Sequence, residues 1–180
     1  MPDPTMSEAW KEACASVPAG ELMFHTLEFR HPNFRDAFNQ PTAIRVVLDH
    51  NDLIATLEAD APLNGGEPVV FVPMAFGLQL PNVENIAMPE LKIVLDNVSR
   101  DIEDNLALAT ASPYAIEVTY REYLSSDLSA PQNNPPLNFT LKDPEADDYT
   151  VSATASTSDL GNRQFPNEDY TAARFPGLVR

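Results

Sequence analysis

The order of residues predicts a mainly β protein of the α+β type: a β-sandwich or open barrel of about seven or eight strands with a short N-terminal helix and one inserted helix. Three observations predict it. Apolar and β-branched residues come in short runs bounded by turn formers, 17 prolines stand against 6 glycines, and helical spacing is confined to two stretches. The 180 residues suit one domain, taken as 1–180, without a disulfide or metal staple.

Thr5 to Ser16 (TMSEAWKEACAS) reads as a helix with Ser7 or Thr5 as N-cap and Glu8 in its first turn, ended by Val17-Pro18-Ala19-Gly20. Trp10, Ala13 and Cys14 share one face, with Trp10 as a core or interface anchor. Glu21 to Arg30 (ELMFHTLEFR) alternates with apolar groups on both sides, as in a strand buried twice or paired at an interface. The runs Thr42 to Asp49 and Leu53 to Ala59, joined by His50-Asn51-Asp52, read as a hairpin.

Asn64-Gly65-Gly66 marks a turn before residues 69–81 (VVFVPMAFGLQLP), where Pro73 implies an edge strand or a strand followed by a bend. Glu90 to Asp96 alternates cleanly and leads into VSRDIEDNLALATA, whose Val98, Ile102, Leu106 and Ala109 mark one helical face, capped by Asp96, Asn97 or Ser99. In Tyr114 to Tyr123, read as a strand, Tyr114, Ile116, Val118, Tyr120 and Glu122 face one way and Glu117, Thr119, Arg121 and Tyr123 the other. After the proline-broken loop Ser125 to Pro136, Leu137 to Leu141 and Tyr149 to Ser156 form a last pair of strands around the acidic turn Asp143 to Asp148.

The chemistry implied is sparse. With Cys14 as the single cysteine, neither an internal disulfide nor a cysteine-held metal or iron–sulfur site can be built, so no cofactor is expected. His25, His31 and His50 lie in no ligand pattern, and no metal site is expected. Ser126-Asp127 and Ser158-Asp159 lack a nucleophile elbow and read as loop hydrogen bonding. Gly65-Gly66 lacks the Lys and Ser/Thr of a phosphate loop, and no carboxylate pair, Glu58-Asp60 and Asp147-Asp148 included, stands out as acid and base. The acidic turn does not match calcium-loop spacing. A catalytic role is therefore not expected.

Twenty-seven acids against 11 bases give a formal charge of −16, divided 13 to 4 before Leu91 and 14 to 7 from there on. Such a surface opposes a nucleic-acid clamp, where Lys and Arg must neutralise phosphates. It suits solubility, or a wall along which DNA slides without sticking. The N-terminus lacks the pattern of a signal peptide and no stretch approaches a membrane span, so a soluble protein with no membrane partner is expected.

Taken together, Trp10 to Phe29, Phe71-Val72-Pro73-Met74-Ala75-Phe76 with Leu80-Pro81, the junction Pro89 to Val98, and the ending Arg174-Phe175-Pro176-Gly177-Leu178 resemble a family of small minor tail proteins of long-tailed bacteriophages, known mainly as a domain of unknown function. The Pro-x-Leu-x-Ile-x-x-x-Asn-Val junction is also similar to one in lambda-type tail-tip proteins, which share a tail-tube architecture. The resemblance implies a β-sandwich with a flanking helix that forms a ring around the DNA channel. It implies a virion protein of the tail tip or distal tail, made in the host cytoplasm, joining the tail tube to the hub and fibre in rings of three or six copies. DNA passes through without specific binding. Larger lambda-type relatives can carry a cysteine-bound iron–sulfur cluster, for which this chain lacks the cysteines.

Interfaces in such a ring are expected to use Trp10, Phe29, Phe34, Phe38, Phe71, Phe76, Leu128 and Phe175, with the 71–80 strand and the 125–136 loop. Two other readings stay open. One is a tail assembly chaperone absent from the mature particle; the other is a small hydrolase or carbohydrate-binding module with its site on the loops.

Overall fold

The computed structural model describes residues 6–16, 20–36, 38–79, 90–96, 105, 108–109, 112–146 and 150–156. Among these residues, helix α1 (Glu8–Ser16) precedes nine strands: β1 (Met23–Arg35), β2 (Pro41–Val47), β3 (Leu53–Thr56), β4 (Pro68–Pro73), β5 (Phe76–Gln79), β6 (Glu90–Asp96), β7 (Glu117–Leu124), β8 (Leu137–Ala146) and β9 (Thr150–Ser156). They form one mixed, open sheet in the order β3-β4-β2-β1-β7-β8-β9-β6-β5. The mainly β class is as expected. Nine strands appear in place of seven or eight because the stretch 69–81 breaks after Pro73, which has no N–H to continue a ladder.

Ser7 caps α1, its Oγ accepting the Trp10 amide at 3.1 Å. Trp10 and Ala13 turn inward against Leu124 and Met6. Cys14, expected on the same face, is exposed. Asn105, Leu108 and Ala109 are helical, with Ala109 buried and Leu108 outward as the expected face requires. The rest of the Val98 to Ala111 stretch lies outside the described residues.

Strand β1 runs past Arg30 to Arg35, its register with β2 shifting between those two residues, which accommodates the missing N–H of Pro32. The expected hairpin of 42–49 with 53–59 does not form. Four bend residues after β2 let β4 enter between the two runs: β3 pairs antiparallel with β4 from Leu53↔Phe71 to Thr56↔Pro68, and β2 meets β4 in a short parallel contact at Val46↔Val72. That exchange buries Leu53, Ala55, Val69 and Phe71 together. Nor is β4 an edge strand; of the two readings of Pro73, the bend is correct, and the sheet's ends are β3 and β5. The acidic segment is corrected likewise, since Asp143 to Ala146 belong to β8, with Pro144 inside a register shift between Lys142 and Glu145.

The pairing of β1 between β2 and β7 sorts side chains onto two faces. Leu27↔Tyr120 and Phe29↔Val118 point into the larger core with Ile44, Val46 and Phe139. Thr26↔Arg121, Glu28↔Thr119 and Arg30↔Glu117 point the other way, beside Arg45 and Val47. On that second face Phe24 and Tyr123 join the apolar cluster under β3 and β4.

Candidate functional site

Three polar centres lie on the β1–β7 pair. The first is a buried charged layer on the second face. Register sets Glu28 directly opposite both Arg45 and Thr119, with Arg121 one step along β7. Arg121 donates from Nη1 to Glu28 Oε2 at 2.5 Å and, from Nε and Nη2, to both oxygens of Glu58 at 2.7 Å. Neither the Arg121 nor the Glu28 side chain has exposed surface. Arg45 Nη2 stands 3.6 Å from Glu28 Oε1 and donates to Asn64 Oδ1 at 3.0 Å.

Glu58 reaches this layer from the loop after β3, and the turn read as Asn64-Gly65-Gly66 holds it there. Gly66 donates its amide to the Glu58 carbonyl at 3.0 Å and adopts φ +73°. A Cβ on Gly65 would come within 2.7 Å of the Ala59 carbonyl oxygen. Burial opposes charge on both Glu58 and Arg121, yet their bidentate pair outweighs it, lowering the Glu58 pKa and raising that of Arg121. Burial lowers the pKa of Arg45. The bidentate pairing favours the charged forms of Glu58 and Arg121, so the layer fixes geometry.

The second centre lies on the first face, where His25 pairs across with Glu122. The Tyr120 hydroxyl donates to Glu122 Oε1 in a short hydrogen bond and accepts from His25 Nδ1 at 2.7 Å. Trp10 meets the His25 ring edge-on at 6.4 Å between centroids. Burial raises the Glu122 pKa against the opposing Tyr120 hydrogen bond, and burial lowers that of His25. Glu122 Oε2 is buried without a hydrogen-bond partner among the described residues. Burial, followed by the charge of Glu122, holds the Tyr120 phenol protonated. With a half-buried imidazole beside it, this centre gathers acid–base groups between β1, β7 and Trp10.

The third is a cleft of about 580 Å³ at the far end of β1, lined in part by Arg30, His31, Arg35, Tyr114 and Glu117.

The residues expected at interfaces divide sharply. Trp10, Phe29, Phe34, Phe71 and Phe76 are buried within the chain's own cores, Leu128 is partly buried against the β3–β4 cluster, and Phe38 is 82% exposed at the turn between β1 and β2. Phe175 lies outside the described residues. The loop 125–136 is held inside the fold: Leu128 O accepts from Thr56 N, Ser7 N donates to Gln132 O, and Asn133 Nδ2 donates to Tyr120 O. Ser126 bonds Glu21 and Asp127 bonds Ser129, so that serine–aspartate pair is loop bonding, as read. His25, His31 and His50 stay apart in use, and among the described residues no group of three His, Cys, Asp or Glu could hold a metal ion. Among those residues, too, no helix is long and apolar enough to cross a membrane.

Sequence reading missed the charged layer. Its signal was present in Glu28, which shares a strand face with Phe24 and Thr26, and in Arg121, which shares one with Thr119 and Tyr123; the partner Glu58, distant in sequence, carried none.

Fold and centres together define a mainly β domain built on one open sheet, with its polar groups organised on the β1–β7 pair. The chain belongs to the family described as a domain of unknown function, DUF1833, whose model matches residues 9–170. Among curated proteins nothing matches it.

Proposed function

We propose that the chain is a structural protein of a bacteriophage tail, placed at the tail tip or distal tail, where copies form a ring around the DNA channel and join tube to hub. The observation that carries this reading is the outer surface of the β3–β4 end of the sheet. There Ile54, paired across to Val70, and Val72 are 62%, 52% and 50% exposed, a strip of three β-branched residues on a chain of charge −16. Exposed apolar surface beside a sheet end is what association between chains uses. The resemblance of the Pro89 to Val98 junction to tail-tip proteins supports the same reading, and the acidic charge suits a channel that DNA traverses without sticking.

In this role the chain catalyses nothing. Quantitative mass spectrometry of purified virions tests it, with the chain expected in a fixed ratio to the other tail proteins. Its absence from particles but presence in infected cells overturns the reading in favour of an assembly chaperone. Ile54→Lys is expected to abolish assembly of the purified chain while leaving its circular dichroism unchanged.

A further inference from the structure

We propose that the cleft at the far end of β1 is a docking site for a carboxylate-bearing peptide segment of a partner protein, with Arg35 and Arg30 meeting the carboxylate. Its size, about 580 Å³, lies within the range of sites that hold small ligands or a few residues of peptide.

Charge is the first argument. Arg35 is exposed, and its guanidinium donates only to the carbonyl of the preceding Phe34 among the described residues. The neighbouring Asp36 has its Oδ1 on the Phe38 and Gln40 amides, and among the described residues it forms no ion pair with Arg35. Arg30 is tied to Glu117 by one 3.2 Å bond from Nη2, which leaves that nitrogen a second hydrogen to donate; Nε and Nη1 are buried without an acceptor. His31 adds no charge in this geometry, since its Nδ1 accepts the Asn33 amide and its Nε2 donates to the Tyr114 carbonyl. Two arginines against one glutamate leave the lining at +1, inside a chain of −16. A single carboxylate matches that charge; a phosphate dianion exceeds it.

The walls supply the second argument. Pro32, Pro41, Pro62 and Leu63 line the cleft, and Tyr114, 64% exposed, stands at its rim. Rigid apolar walls beside an accessible aromatic ring suit a peptide backbone flanking an acidic side chain, because little side-chain freedom is lost on binding. The side chain of Glu117 is 65% exposed on the same rim, so the cleft opens along the surface, where a segment can pass.

This inference does not rest on the tail reading. Calorimetric titration of the full chain with acetyl-Pro-Leu-Glu-Pro-amide should show saturable binding, at least about tenfold tighter than acetyl-Pro-Leu-Gln-Pro-amide. Arg35→Gln should erase that preference, and Tyr114→Ala should weaken both peptides alike. Equal binding of the two peptides, no binding of either, or an unchanged preference in R35Q overturns the proposal. So does inorganic phosphate if it displaces the Glu peptide at equal concentration, which makes the cleft a general anion site. Sedimentation of the chain alone tests the occupant: the same mass for parent and R35Q supports a separate partner, whereas self-association lost in R35Q assigns the cleft to a second copy instead.

Discussion

Arg121 and Glu122 are consecutive on β7, both buried, and face opposite sides of the sheet, yet only one is fully partnered. Arg121 spends its guanidinium on two carboxylates through three hydrogen bonds. Glu122 has one oxygen on the Tyr120 hydroxyl and the other on nothing, and the imidazole opposite it stands 3.7 Å away with its nitrogen on the tyrosine. Burial acts on both carboxylates, Glu58 and Glu122, in the same upward direction. A bidentate arginine reverses it for Glu58, and a lone tyrosine does not for Glu122. The cost of a buried charge is therefore set by the partners that register and turns deliver to it, not by depth alone.

The widest difference should appear when each centre loses its principal group. Arg121→Gln strands Glu28 and Glu58 together and should cost about 3–5 kcal/mol in urea unfolding, enough to depopulate the fold at 37 °C. Gly65→Ala should come next. Its Cβ meets the Ala59 carbonyl oxygen at 2.7 Å, so the turn that presents Glu58 and positions Asn64 for Arg45 must shift. A loss of about 1–3 kcal/mol is expected from such overpacking, with the Glu122 centre undisturbed. Circular dichroism at the unfolding midpoint checks both values. A G65A loss that is fully additive with that of Arg121→Gln would show that the turn does not act through the charged layer.

Much of this architecture was legible because it is local. The Ser7 cap, the alternation of β6 and the two faces of β7 from Glu117 to Tyr123 each follow from residues a few positions apart. The insertion of β4 between β2 and β3 was not, because both arrangements satisfy the same apolar pattern and the choice depends on which clusters bury best. The fate of the aromatic residues was hidden for a related reason: periodicity tells that Phe29, Phe34 and Phe71 face an apolar surface, not whether that surface belongs to the same chain. Of the polar centres, Glu28 and Arg121 could be flagged by their strand positions. The cleft could not, since it is assembled from five separate segments and takes its character from an Arg35 that has no counterion among the described residues.

A smaller effect separates Glu122 from Arg121 in sign as well as size. Glu122→Gln keeps an oxygen for the Tyr120 hydroxyl and removes the charge that burial penalises. Stability at pH 7 should stay level or rise by about 0–1 kcal/mol, measured by urea midpoint. A loss comparable with that of Arg121→Gln would mean that the carboxylate is as fully partnered as the guanidinium, and the contrast between the faces would fail.

The finest test uses pH, because His25 and Glu122 pull in opposite directions between 4.5 and 6.5. Burial lowers the His25 pKa from 6.5, so the folded protein binds this proton less readily than the unfolded chain; stability from His25 is complete above 6.5 and is lost as pH falls through the lowered value. Burial raises the Glu122 pKa from 4.5, so stability from Glu122 is complete below 4.5 and is lost as pH rises through the raised value. Glu58, lowered from 4.5, weakens the fold only below that pH and leaves the window clear. In His25→Gln, urea midpoints should therefore fall as pH rises from 4.5 to 6.5, and in Glu122→Gln they should rise. Parallel slopes in the two variants would mean that histidine, tyrosine and glutamate exchange protons as one unit, with apparent pKa values that belong to the cluster. The face opposite Arg121 would then be a coupled network in its own right, and its carboxylate would no longer count as the less partnered of the two.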